Sequence, residues 1–209
     1  MLAAAGMIGP VGIRRITVAA MWEERAPGDG ELLLRINKGT KDTTVFGLGT
    51  HATTSACLAL LGGLYGERGP KPRLVLDVGC GTGVLGIACA ALGAEQVLGL
   101  DIDPNAVALS GENAERNGVA GRCRFALTPV AEVPDAFDLV IANLPSSLLV
   151  GELAPALCAR ARGGLLLVSG FTRLGRPTIV ADLESRGRKL RTGIEQGEQA
   201  WTALLWGEK

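Results

Sequence analysis

The chain has 209 residues, of which 47% are hydrophobic, and 21 Lys and Arg balance 21 Asp and Glu. That length and apolar content specify one ordinary domain with a sizeable core, and zero net charge gives no global support for a nucleic-acid partner. Cys57, Cys80, Cys89, Cys123 and Cys158 form no CxxC pair and no cluster with the single histidine, so neither a metal site nor a disulfide framework is expected.

No apolar run approaches the roughly 18 residues of a membrane span. The first 21 residues are apolar but lack a basic leading region and carry Arg14-Arg15 inside, which makes a poor signal peptide. A cytoplasmic protein is expected, with Met21 as an alternative start. Residues 1–37 read as an N-terminal extension with one or two strands, in Gly12–Val18 and Glu31–Ile36, and residues 38–209 as the main domain. The connector from Lys38 to Thr50 is rich in glycine and threonine, and a helix is expected from His51 to Leu64.

Strand and helix then alternate. Strands are expected at 74–79, 96–101, 122–127, 137–142 and 165–169, and helices at 83–92, 104–117, 149–161 and 176–186. Asp103 caps a helix that Pro104 opens and Asn117-Gly118 closes. Two final strands, near 189–195 and 199–206, share a turn at Gln196-Gly197 too short for a helical crossover, so they run antiparallel. The earlier strands need helical crossovers and run parallel. The fold class is therefore α/β: a doubly wound, seven-stranded, mostly parallel sheet with an antiparallel last strand.

One stretch organises this alternation. Leu74–Leu76 is an apolar strand, Asp77 lies at its carboxyl end, and Gly79, Gly81 and Gly83 follow before an alanine-rich helix. A strand, a glycine loop and a helix open a nucleotide-binding domain, where loop amides and the helix N-terminus face an anionic group. Two ligands compete for the loop. Gly81-Thr-Gly83-Val-Leu-Gly86 matches the dinucleotide pattern GxGxxG, with Asp101 about twenty residues on. Asp77 opposes that reading, because its carboxylate would repel a pyrophosphate. The same carboxylate suits the ammonium and sulfonium of S-adenosylmethionine (SAM), which is the ligand expected.

Ligands of such sheets sit beyond the carboxyl ends of the strands. Asp77, Asp101 and Asn143 arrive there from three strands. Asp101 can accept both ribose hydroxyls, Ile102 would lie against adenine, and Asn143 would face the transferable methyl as the catalytic residue. The blander readings are a solvated strand-end acid and a turn-forming asparagine.

Three further stretches make the resemblance specific. Phe46-Gly-Leu-Gly-Thr50-His51-Ala-Thr-Thr54, Val75–Ala88, and Gly99–Pro104 with Glu112–Gly118 resemble the bacterial ribosomal protein methyltransferase family PrmA. Asp138–Leu144, Gly163–Gly170 and Gln199–Leu205 continue the likeness. The resemblance implies a class I methyltransferase fold, SAM as cofactor, and methyl transfer to lysine side chains or an amino terminus of a protein. It also implies cofactor contacts from Thr50, His51, Thr54, Asp77, Gly79, Cys80, Gly81, Gly83, Asp101, Ile102 and Asn143, with no base role for His51. Most of the family's N-terminal substrate-recognition domain has no counterpart ahead of the motif. A small-molecule or nucleic-acid N-methyltransferase, a non-catalytic SAM-binding subunit and a nicotinamide oxidoreductase are the alternatives.

Charge is uneven along the chain. Residues 160–191 hold eight bases against two acids. Solvated helix faces would explain this; the sharper expectation is a docking face for an acidic protein substrate.

Overall fold

The computed structural model describes residues 15–39, 51–133, 136–198 and 201–208. Its centre is strand β3 (Leu74–Val78), flanked by parallel β4 (Gln96–Leu100) and β6 (Leu139–Asn143). Outside them lie β5 (Cys123–Ala126) on one side and β7 (Leu165–Thr172) on the other, both parallel to their neighbours. The chain finishes with β8 (Arg188–Gln196) and β9 (Trp201–Glu208). The sheet order is β5-β4-β3-β6-β7-β9-β8. The last strand is antiparallel to β8, as their short turn requires, and also to β7, and it inserts between the two instead of taking the edge.

Strand side chains alternate between two cores, the period-two consequence of a pleated backbone. Val75, Leu139, Ile141 and Leu167 join α1 (Ala52–Gly66) and α2 (Val84–Ala91) in one apolar cluster. Leu76, Val140, Leu166 and Val168 join α5 (Ala154–Arg160) and α6 (Arg176–Ser185) in the other. Burying each such side chain contributes about 1.5–3 kcal/mol before conformational entropy is counted. Helix α3 (Pro104–Arg116) starts with the expected cap, Asp103 accepting from the Asn105 amide at 2.9 Å.

The helix expected over 149–161 is interrupted. A short α4 (Ser146–Leu148) leads into a π-type turn, Leu149–Leu153, before α5 begins. Gly151 takes φ 76° inside that turn, and Pro155 near the start of α5 offers no amide to the preceding carbonyls.

Strands β1 (Arg15–Ala20) and β2 (Glu31–Ile36) form a separate parallel pair. Ile16, Leu34 and Ile36 pack into the α1–α2 core. Their connection is knotted by Glu31, which receives Arg25 at 2.7 Å and the Gly28 amide at 2.7 Å. Those donors hold its carboxyl far below the usual range. On the other side Asn117 of α3 offers its side-chain amide to Arg35 as a strand would: Oδ1 accepts from the Arg35 amide at 2.9 Å, and Nδ2 donates to its carbonyl at 2.8 Å.

Candidate functional site

The glycine loop leaves β3 and is tied at once to the end of β4. The amides of Gly79 and Cys80 both donate to the Leu100 carbonyl, at 2.8 and 2.9 Å. The Gly83 amide closes the turn on the Cys80 carbonyl at 2.8 Å. Gly79, Gly81 and Gly83 have φ of 70°, 55° and 78°, a region that a Cβ disfavours. A Cβ on Gly83 would also come within 2.8 Å of the Ser110 Cβ. Gly86 of the dinucleotide-like pattern has a packing role: a Cβ there would meet Val97 at 2.9 Å, so its absence lets α2 lie close on the sheet.

Asp77 turns its carboxylate inward. Only 2% of it is exposed, and its Oδ2 accepts from the Gly86 amide at 3.0 Å, anchoring α2 beneath the loop. Burial pushes its carboxyl up to about 7, the Asp101 charge adds to that, and the Gly86 amide opposes it. The group thus supports the loop from below, and an ammonium reaching it would meet almost no carboxylate surface.

Asp101 stands at the end of β4, half-buried. Its Oδ2 accepts from the Gly81 amide at 2.8 Å and its Oδ1 from the Asp103 amide at 3.1 Å. Each oxygen retains a lone pair for a further donor. Ile102 beside it is 96% exposed, an apolar side chain held at the rim of the loop. Cys80 is buried, and burial raises its thiol well above the ordinary range, which leaves no thiolate there.

Asn143 ends β6 and meets α1 across the cleft. Its Nδ2 donates to the Thr54 hydroxyl at 3.3 Å, whereas its Oδ1 is buried with no partner. A buried orphan acceptor costs free energy in the absence of a ligand donor. His51 caps α1: its Nδ1 accepts from the Thr53 amide at 3.4 Å and lies 2.8 Å from the Thr53 hydroxyl. Thr50 lies outside the described residues.

Asn113 adds a contact that residue patterns alone did not assign. Buried inside α3, it donates Nδ2 to the Thr82 carbonyl of the loop and to the Asn37 carbonyl, both at 2.9 Å. Its Oδ1 accepts from the Asn37 amide at 2.8 Å. The available signal was Asn113 in a helix interior, where asparagine is a weak choice, four residues before the capping Asn117.

Five of the eight bases in the stretch 160–191 have partners within the fold. Arg173 and Arg176 both pair with Glu195, at 2.9 and 3.2 Å, and Arg186 pairs with Asp182 at 2.9 Å. Arg188 is 2% exposed and donates to the Ala161 and Gly164 carbonyls. Arg160 donates to the carbonyls of Val130 and Ala131. Arg162, Lys189 and Arg191 are exposed.

The cleft residues fit an adenosyl ligand on two counts: strand-end acceptor oxygens at Asp101 and an unpartnered acceptor at Asn143. Among the described residues no group of three or more His, Cys, Asp or Glu could hold a metal ion, and no helix is long and apolar enough to cross a membrane.

A seven-stranded sheet in this order, with one reversed strand and a glycine loop after its central strand, defines the class I SAM-dependent methyltransferase fold. Within that class the chain belongs to the ribosomal protein L11 methyltransferase (PrmA) family, whose model matches residues 7–208. It is 44% identical over 161 residues to the ribosomal protein L11 methyltransferase of Geobacter sp. strain M21, an alignment covering 76% of this chain and 51% of that protein. With the one from Geobacter sulfurreducens it shares 38% identity over 196 residues, covering 92% of this chain and 60% of the relative. The chain thus spans between about half and three fifths of the length of these curated relatives. The crystal structure of ribosomal protein L11 methylase from Lactobacillus delbrueckii subsp. bulgaricus superimposes with a TM-score of 0.80 at 27% identity, covering 95% of this chain and 98% of that one.

Proposed function

We propose that the chain is a SAM-dependent methyltransferase that methylates a protein amine, either a lysine side chain or an amino terminus. The observation that carries the proposal is the buried, unpartnered Asn143 Oδ1 at the carboxyl end of β6, across from the loop of three positive-φ glycines that follows β3. Membership of the PrmA family and the relatives' names support a protein acceptor.

When bound, SAM supplies an electrophilic methyl group on a sulfonium that is already a good leaving group. The protein's residues then hold and align. Asp101 would accept the ribose hydroxyls with its remaining lone pairs, and Ile102 would cover one face of adenine. The Gly79–Gly83 loop would cradle the methionine end, held from below by Asp77 through Gly86. Asn143 Oδ1 would accept a hydrogen from the neutral acceptor amine and leave its lone pair directed at the methyl. Thr54 fixes the amide for that task through its 3.3 Å contact. His51 belongs to the site as the cap of α1, without a base role. Alignment of this kind can account for several kcal/mol of a barrier without acid–base catalysis.

Two measurements test the proposal. S-adenosylhomocysteine at a hundred times its dissociation constant should stabilise the protein by about 2.7 kcal/mol, and NAD should not. Labelled SAM should pass its methyl to isolated ribosomal protein L11 or, in a native extract, to protein. A thermal shift with NAD alone would overturn the cofactor. Label entering only RNA or small molecules would overturn the acceptor class.

A further inference from the structure

We propose that Leu144 is a positioning residue that sets the Asn143 amide relative to the cofactor loop. The inference rests on the methyltransferase reading above. Leu144 is wedged between Gly79 of the loop and Gly170 of β7. Its side chain lies on Gly79 in the loop: a Cβ at Gly79 would strike the Leu144 Cδ2 and come within 3.2 Å of its Cγ. Its backbone lies on Gly170 of β7: a Cβ there would strike the Leu144 carbonyl and come within 2.9 Å of its amide nitrogen. Gly170 has φ 102° and is the extra residue of a bulge between Ser169 and Phe171.

The direction of the peptide is fixed from three sides. Asn143 pairs with Ser169 in the β6–β7 ladder, and the Leu144 amide donates to the Ser169 carbonyl at 3.0 Å. Pro145 follows, which biases Leu144 toward extended backbone. The bulge at Gly170 then removes the atoms that would otherwise push this peptide off the sheet. Asn143, immediately before, is consequently held at one distance from the Gly79 backbone by the thickness of the Leu144 side chain. Leu144 is half-buried at the margin of the second apolar cluster, with Leu76 and Val78 deeper inside it. Its packing surface is therefore shared between the two halves of the site, the loop for the donor and the strand end for the acceptor.

A spacer of this kind affects alignment more than affinity. An error of 1 Å in the relative placement of reacting groups can cost about a hundredfold in rate. The variants are Leu144→Val, Leu144→Ala and Leu144→Met, each checked for a cooperative thermal transition. S-adenosylhomocysteine affinity is measured by calorimetry, and single-turnover transfer from SAM to isolated L11 by label. The expected result is a graded loss of transfer, about tenfold or more for Leu144→Ala, with affinity within about threefold of wild type and most of the rate recovered in Leu144→Met. A second readout needs no acceptor: the side-chain amide resonances of Asn143 should shift when S-adenosylhomocysteine binds to the wild type, and that shift should be lost in Leu144→Ala. If the wild type fails to label L11, the acceptor assignment fails and the resonances alone decide the role of Leu144. Unchanged transfer, rate and affinity falling in the same proportion, or resonances that respond alike in wild type and Leu144→Ala would overturn the proposal; so would a wild-type Asn143 blind to the ligand.

Discussion

Replacing Asp77 by Asn should stabilise the protein at neutral and alkaline pH. Burial raises the Asp77 carboxyl from an ordinary 3.8 to about 7, with the Asp101 charge adding to the effect. Between those two values the folded chain holds a proton that the unfolded chain has released. Stability therefore falls as pH rises through this window, and the full penalty is present above about 7. At 1.36 kcal/mol per pKa unit the gap corresponds to about 4 kcal/mol, an upper figure that relaxation of the site reduces. Asparagine keeps an oxygen for the Gly86 amide, which the Asp77 Oδ2 accepts at 3.0 Å, and carries no charge. Urea denaturation of both proteins at pH 5 and pH 8 measures the effect. Asp77→Asn should gain on the wild type by about 1–3 kcal/mol between those pH values, since roughly two of the three pH units of the window lie between pH 5 and the raised value. Glu31, held far below the usual range by Arg25, stays ionised throughout the window and drops out of the comparison. A difference that does not change with pH, or a variant less stable than wild type at pH 8, would refute the reasoning.

Asp101→Ala should weaken S-adenosylhomocysteine binding by about 1.5–3 kcal/mol, the worth of a hydrogen bond to a charged group, and calorimetry would expose an unchanged affinity. Gly83→Ala should destabilise the fold by about 2–4 kcal/mol in chemical denaturation, because a left-handed residue gains a Cβ that also crowds its neighbours. Its intended neighbour is Ser110, 2.8 Å away. Gly111→Ala, in the middle of α3 with open space around its Cβ, should instead stabilise by about 0.5–1 kcal/mol.

The parts of the fold legible in the sequence are those written in local pattern. Apolar runs gave the strands their places, and the glycine spacing marked the loop because positive φ leaves few other residues as choices. Asp101 and Asn143 could be placed because a strand end is a local event. What escaped depends on contacts between distant segments. The turn at Gln196-Gly197 makes β8 and β9 antiparallel but is silent on which of them touches β7. Nothing near Asp77 signals that its oxygen turns inward to Gly86. Arg160, Arg173, Arg176 and Arg188 look available in the sequence because their partners, Glu195 among them, and the carbonyls at Val130 and Ala161 are remote or anonymous there. Gly170 reads as an ordinary glycine after a strand until Leu144 is seen lying across it.

The insertion of β9 orders the assembly of the sheet in time. In the sheet β8 is bonded only to β9, and β9 alone joins it to β7. Residues 188–196 therefore have no neighbour to pair with until residues 201–208 have been made, although they precede them in the chain. Ala203, Leu204 and Trp206, fully buried, arrive in that same final step. A nascent chain can complete the glycine loop and the strands around β3 while one edge of its sheet, along β7, still presents unpaired backbone groups. That edge is a template for association with other chains, and its closure waits on the last strand.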